Sequence, residues 1–417
     1  MRTRAVAEPV TTTAGGRRRR TSILFGALGL FGALALVWAG AHLFTGHSLW
    51  ARAIAWGDSD IGDVRRFPLR VVANAAPTFD FALPTADELA RFAPALSTVT
   101  TERNGRLVTE DLGAFLRRTR TVAFLVIKDD VLLYEAYFHG HDRASTVTSF
   151  SVAKSFVSAL VGIAIAEGYI GSVEDPITAY VPELLARDPR YADVTLLHLL
   201  SMSSGIRYRE LGLPWGDDAA TYYAPDLRAV AVSSPIVSEP GEAFHYNNFH
   251  PLLLGLVLER ATARPVAQYL EETIWRRLGM EAPGSWSLDS ERSGFEKMES
   301  GINGRAIDFA KFGRLFLRGG DWDGAQIVPA EWVEGSTSGV VHTGGALRTG
   351  LRYGYFWWVN PQAEGRDHVL AAGKHGQFIY LAPDDGVIVV RFGRADPHGA
   401  WVAFFESLVE RVAAVGP

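Results

Sequence analysis

Between Phe150 and Gly168 the chain reads FSVAKSFVSALVGIAIAEG, small and apolar throughout and free of proline. Val157, Leu160, Val161, Ala164 and Ile165 recur at three- and four-residue spacing, which predicts a buried helix closed by Gly168. Ser151 falls at its first turn, where unbonded N–H groups and the positive end of the helix dipole favour developing negative charge. Lys154, three residues on, shares that face. A serine hydroxyl is a poor nucleophile until something removes its proton, and a lysine in such apolar surroundings is placed to take it. The competing reading is a serine N-cap with a lysine reaching into solvent. Ser-x-x-Lys arises by chance roughly once in a chain of this length, so it has to be weighed with the rest of the sequence.

Two further clusters add to it. Phe244-His245-Tyr246-Asn247-Asn248 precedes a predicted helix at 251–261 and holds the sole Tyr-x-Asn of the chain. Alone, Tyr246 reads as a packing residue on a loop. Between two ammonium groups, its phenol can instead relay protons. The carbonyl oxygen of Asn248 can hold a lysine or a substrate amide. The third cluster, Gly373-Lys374-His375-Gly376-Gln377, runs into a predicted strand. Gly376 permits close backbone approach, and the Gln377 N–H can complete an oxyanion hole with the Ser151 N–H. An exposed edge-strand pair is the plainer reading of Lys374 and His375. A second Lys-x-Gly, Lys311-Phe312-Gly313, lies inside a helical pattern and lacks that setting.

The 417 residues suffice for a large core, and a formal charge of −5 gives no general attraction to nucleic acid. Cysteine is absent, which excludes disulfides, thiolate catalysis and cysteine metal sites. Arg17 to Arg20 precede an apolar run from Ile23 to Phe44, long enough to cross a bilayer with the arginines on the cytoplasmic side. Residues 1–20 are expected to be a disordered cytoplasmic tail, 21–44 a transmembrane anchor and 45–75 a connector. Residues 76–417 then form the main domain on the extracytoplasmic side. A cleaved signal peptide is the alternative, since Ala39-Gly40-Ala41 resembles a cleavage site.

Strand-like runs at 122–127 and 131–138 and again at 354–359, 377–381 and 387–392 flank a helix-rich middle. That middle includes predicted helices at 266–278 and 306–317, and a closing helix covers 401–412. The expected fold is mixed α+β: one antiparallel sheet built from both ends of the domain, flanked by helices, with a helical lobe inserted.

Ser-x-x-Lys, then Tyr-x-Asn, then Lys-x-Gly on a late strand resembles the penicillin-recognising serine hydrolases. Within them it resembles the branch of class C β-lactamases, D-Ala-D-Ala carboxypeptidases and family VIII esterases. The flanks VTLLHLLSMSSGI, YNNFHPLLLGLVLERATARP and RAIDFAKFGRLFLRGGDWDGAQIVP agree, over about residues 120–412. Met202, Tyr208 and Glu210, with His375-Gly376-Gln377, are most similar to the 6-aminohexanoate-dimer hydrolases. The resemblance implies Ser151 as nucleophile, Lys154 as general base and Tyr246 as proton relay. Tyr208, Asn248, Lys374, His375 and Gly376 become substrate-binding residues, with no cofactor and no metal. It also implies a β-lactamase-like fold acting on a small amide or ester. His375 stands where many β-lactamases carry Thr or Ser, which counts against efficient β-lactam turnover, and there is no Ser-Asp-Asn.

Rival readings find less support. No G-x-S-x-G elbow occurs, which argues against an α/β-hydrolase. His139-Gly140-His141-Asp142 offers two histidines, too few to close a metal site. A membrane-tethered binding or sensor domain would not need the proton-transfer residues, and a carboxypeptidase or β-lactamase remains an alternative within the resemblance.

Overall fold

Residues Thr121–Lys128 (TVAFLVIK) carry apolar side chains toward both faces, as a strand covered on both sides requires. This strand lies inside an eight-stranded antiparallel sheet, and every residue from Thr121 to Ile127 is buried. The sheet runs in the order Val341–His342, Arg352–Tyr353, Trp358–Asn360, His368–Gly373, Gln377–Ala382, Val387–Gly393, Thr121–Lys128 and Val131–Tyr137. Its early and late strands meet where Val389 pairs with Val126.

The computed structural model describes residues 30, 32–41, 43–44, 47–103, 105–339, 341–342 and 350–415. The chain forms two compact units, Met1–Asp58 and Ser59–Pro417. The first includes the short helix Leu49–Trp56, capped by the Ser48 side chain. Of residues 21–44, expected as an anchor or signal segment, 21–29, 31 and 42 lie outside the described residues, and 32–41 are helical. Among the described residues, no helix is long and apolar enough to cross a membrane.

Helices cover both faces of the large sheet. On one, Phe124, Val126, Tyr380 and Val389 pack with Phe115 of the helix Leu112–Arg118 and Phe404, Phe405 and Leu408 of the helix Trp401–Ala413. The helix Ala306–Leu317 presses on the other face at Gly313, where a Cβ would lie 2.9 Å from Ile379 Cγ2. The second Lys-x-Gly therefore has a packing role. Its glycine lets the helix approach the sheet, while the buried Lys311 donates to Gly279 O (2.9 Å) and pairs with Asp308 (3.4 Å).

The segment centred on Ser151 forms a 3₁₀ turn, Phe150–Val152, followed by the helix Ala153–Ala166. Residues 153–164 of that helix are all buried, and Phe156 stacks on Phe312 at 3.6 Å. The helix Phe249–Thr262 is buried in the same way over residues 249–258.

Three departures from the sequence reading have local causes. A four-stranded sheet joins Leu69–Val72, Gly284–Ser287, Ile302–Gly304 and Val147–Thr148, and its strands of two to four residues are too short to show a period. Leu69–Val72, within the stretch read as a connector, thereby pairs with Gly284–Ser287. The aromatic run at 353–358 is broken into two short strands because Phe356 turns the chain at φ 59°. There the Phe356 carbonyl accepts from Ser155 Oγ (2.8 Å), tying the turn to the helix Ala153–Ala166. The helix expected at 266–278 is α-helical only over Val266–Leu270 and widens to a π-turn at Glu271–Trp275.

Candidate active site

The local chain path sets the position of Ser151. Val147–Thr148 is an edge strand on Ile302–Gly304, and the Ser149 N–H continues that pairing onto Ile302 O (2.9 Å). Asn303, fully buried, accepts from Thr148 Oγ1 and donates to Gly301 O and Ser287 Oγ, each at 3.0 Å. Phe150 then takes φ 46°, a left-handed conformation that a bulky aromatic residue adopts only where its surroundings enforce it. Those surroundings are rings: Tyr222 is stacked at 6.3 Å and His375 sits edge-on at 5.2 Å. Ser151 follows, half-buried, at the entrance to the helix.

Lys154 is 1% exposed, and its ammonium donates to Ser151 Oγ at 2.7 Å and to Glu299 O at 3.0 Å. The same small sheet supplies both ends of this arrangement, since Glu299 lies just before Ile302–Gly304. The Lys154 ammonium also sits 4.9 Å from the ring centroid of Tyr246, a cation–π separation. Tyr246 is half-buried, stacked on Trp358 at 5.7 Å and edge-on to Tyr353 at 6.3 Å. The broken aromatic run thus forms a wall behind Tyr246.

Asn247 and Asn248 divide their work. Asn247 is fully buried and structural, donating to Ile206 O (2.9 Å) and accepting the Phe249 N–H (2.8 Å). Asn248 Nδ2 donates to Tyr208 Oη (2.9 Å) and lies 3.5 Å from Thr221 Oγ1; its Oδ1 is buried without a hydrogen-bond partner. The expected hold on a lysine is absent from these contacts. Burial pushes the Tyr208 phenol well above its usual range, so it is a neutral donor and acceptor. Beneath them His250, 1% exposed, contacts Ser204 Oγ (2.6 Å) and Met202 Sδ (3.0 Å). Burial first, then the charges of His245 and Lys154, push its imidazole down to about 3.

The third cluster is the turn of a hairpin between His368–Gly373 and Gln377–Ala382. Its apposition to Ser151 comes through Gly373: a Cβ there would lie 2.6 Å from Ser149 O and 3.1 Å from Ser151 N. Gly376 has φ 76°, but the space beside it belongs to the Arg391 guanidinium, 2.0 Å from a Cβ built on it. The glycine that approaches Ser151 is therefore Gly373. Lys374 Nζ donates to Ser59 Oγ (2.8 Å), and His375 Nε2 is 2.8 Å from Ser59 O. The ammonium over the Tyr246 ring is that of Lys154, and Lys374 donates to Ser59.

Glu299, Ser59 and Trp358 join this arrangement without any sequence signal beyond the local turn and aromatic patterns, since none sits in a spaced motif. A buried pair lies behind Glu299: Lys297 Nζ and Glu299 Oε1 are 2.9 Å apart, both under 3% exposed. His139 and His141 point to backbone carbonyls, those of Arg117 (3.0 Å) and His139 (3.3 Å). Among the described residues, no three His, Asp or Glu side chains are grouped to hold a metal ion.

Comparison with known proteins gives a consistent picture. The family model described as Beta-lactamase matches residues 106–398. A 6-aminohexanoate-dimer hydrolase from Paenarthrobacter ureafaciens is 30% identical over 344 residues, covering 76% of this chain and 83% of that protein. Esterase EstB from Burkholderia gladioli is 31% identical over 157 residues, covering 34% of this chain and 39% of its own. A solved structure named for a 6-aminohexanoate-dimer hydrolase from Bacillus anthracis superposes with a TM-score of 0.69. It is 23% identical, covering 83% of this chain and 90% of that one.

Proposed function

The chain belongs to the beta-lactamase family and is a serine hydrolase, and from that premise we propose that Ser151, Lys154 and Tyr246 carry an acyl transfer from a small amide or ester. The observation that carries the reading is the 2.7 Å contact between Lys154 Nζ and Ser151 Oγ at the mouth of a buried helix. Ser151 Oγ attacks the substrate carbonyl as its proton passes to the lone pair of Lys154 in its neutral amine form, which becomes the ammonium in this step; an N–H of that amine donated to Glu299 O turns the lone pair toward Ser151. Tyr246, whose ring lies against that ammonium, relays a proton to the departing amine or alcohol. The oxyanion rests on the N–H groups of Ser151 and Gln377, and water then releases the acyl group.

For the substrate, we propose a short oligomer or ester of the 6-aminohexanoate kind. Two things support it: the identity to the Paenarthrobacter hydrolase and the Tyr208–Asn248 pair. The buried Asn248 Oδ1 would accept a substrate N–H that nothing in the protein supplies. The engagement of Lys374 and His375 by Ser59 counts against a carboxylate bound at that edge, and so against β-lactams as preferred substrates.

Screening the purified protein against aminohexanoate oligomers, short-chain p-nitrophenyl esters, D-alanyl peptides and nitrocefin tests this. Turnover of the first two above the others is expected. A stoichiometric burst with no steady state on every substrate would favour a sensor and reject the hydrolytic reading.

A further inference from the structure

Arg391 is a fully buried charge that the proposed chemistry leaves unused. It is 0% exposed, on the strand Val387–Gly393, and among the described residues no carboxylate lies within ion-pair distance of it. Burial pushes its guanidinium down to about 9, with Asp396 opposing this at longer range, so it still carries its charge at neutral pH. A buried cation satisfied only by neutral groups is costly and persists where its donors are needed. Trp401 covers one face of the guanidinium at 3.7 Å. Its N–H groups donate to Thr121 Oγ1 (3.0 Å), Thr119 O (2.8 Å), Ala395 O (3.3 Å), His375 O (3.3 Å) and Gly376 O.

The last two acceptors belong to the third cluster. Beside Gly376 at φ 76°, which a glycine adopts freely, His375 is held left-handed at φ 64°, and that non-glycine position needs outside support. Every carbonyl in the turn is tied. Gly373 O accepts the Gly376 N–H (3.2 Å), and Lys374 O accepts Gln377 Nε2 (2.9 Å). The next two accept Arg391 Nη1. Gly376 and Gly393 form the cradle: a Cβ on either would lie 2.0 or 2.4 Å from Arg391 Nη1.

We propose that Arg391 is a positioning residue for the oxyanion hole, acting through the peptide that joins Gly376 to Gln377. In a planar trans peptide the C=O and N–H point in opposite directions. A guanidinium on Gly376 O therefore fixes the plane whose other end is the Gln377 N–H, and it polarises that N–H toward an anion on the far side. This rests on the oxyanion role proposed above for Gln377. It adds that one of the hole's two donors is set from the neighbouring strand, by a residue that never touches substrate.

The test uses the full chain with Arg391→Lys and Arg391→Gln, and with Thr121→Val as a control that loses one guanidinium partner without altering the turn. Kinetics are measured on p-nitrophenyl acetate, together with the affinity of phenylboronic acid, whose Ser151 adduct places an oxygen in the hole. Deleting an oxyanion donor outright costs about 10²–10³ in kcat, so a mispolarised one should cost about tenfold to a hundredfold. Arg391→Gln should show that loss in kcat with KM little changed and boronate affinity reduced by a similar factor. Arg391→Lys, which keeps one charged donor, should fall between it and wild type. Thr121→Val should match wild type. A folded Arg391→Lys or Arg391→Gln with wild-type kcat, or with boronate affinity unchanged, would overturn the proposal. If Arg391→Gln fails to fold, Arg391→Lys alone decides. Loss of boronate binding on Ser151→Ala, with labelling of Ser151 intact in the Arg391 variants, keeps the two readings apart; turnover retained by Ser151→Ala would sink the parent reading instead.

Discussion

Replacing Gly373 with alanine probes how closely the third cluster must approach the nucleophile. The new Cβ would lie 2.6 Å from Ser149 O, 3.1 Å from Ser151 N and 3.2 Å from Phe150 Cβ. Two of these neighbours are backbone atoms, held by the Ser149–Ile302 hydrogen bond and the ring contacts of Phe150, so no side chain can swing away. Restoring an ordinary 3.4 Å contact to Ser149 O means that the strand and the nucleophile turn separate by about 0.8 Å. A displacement approaching 1 Å at reacting groups costs on the order of 10²-fold in rate. Overpacking of this size costs about 1–3 kcal/mol in stability, which a chain of this length tolerates. The expected result is a folded protein, with a melting temperature a few degrees lower and kcat on p-nitrophenyl acetate reduced about a hundredfold. Gly376→Ala should unsettle Arg391 instead and leave the Ser151 N–H uncrowded. Wild-type kcat in a folded Gly373→Ala would refute the argument that this glycine sets the distance.

Tyr246→Phe keeps the ring on Trp358 and under the Lys154 ammonium while deleting the phenol. Melting should shift little, and steady-state turnover should fall about 10²–10⁴-fold if the hydroxyl relays a proton; comparable losses in both would assign Tyr246 to packing. His250 offers a pH test of stability. Its imidazole is pushed from 6.5 down to about 3 in the folded chain, so the unfolded chain binds the extra proton between those values. This contribution is complete above about pH 6.5 and is lost as pH falls toward 3, at about 1.4 kcal/mol per pH unit. Urea unfolding at pH 7 and pH 4.5 should differ by roughly 2–3 kcal/mol more in wild type than in His250→Gln, and equal differences would show that this histidine is not held neutral.

The sequence disclosed what depends on neighbours along the chain. Ser151 and Lys154 share a helix turn, so their meeting follows from spacing alone. The β-rich run at 122–127 likewise announced a strand, which the structure has at Thr121–Lys128. What it withheld depends on contacts far apart in sequence. Glu299 O reaches Lys154 across 145 positions and Ser59 reaches Lys374 across 315, and neither carries a pattern of its own. The two glycines of Gly373-Lys374-His375-Gly376 are alike in sequence. Only the hairpin's seating shows that Gly373 faces Ser151 and Gly376 faces Arg391. The strand expected through 354–359 failed for a related reason, since aromatic residues suit strands but Phe356 is turned at φ 59° to meet Ser155.

The most direct measurement is to treat the full-length chain and Ser151→Ala with a fluorophosphonate, map the adduct by peptide mass, and follow ester hydrolysis in the same samples. One adduct on the peptide containing Ser151, with both labelling and hydrolysis abolished in Ser151→Ala, is the predicted outcome. Label on another serine, or hydrolysis that survives the substitution, would contradict the assignment of the nucleophile.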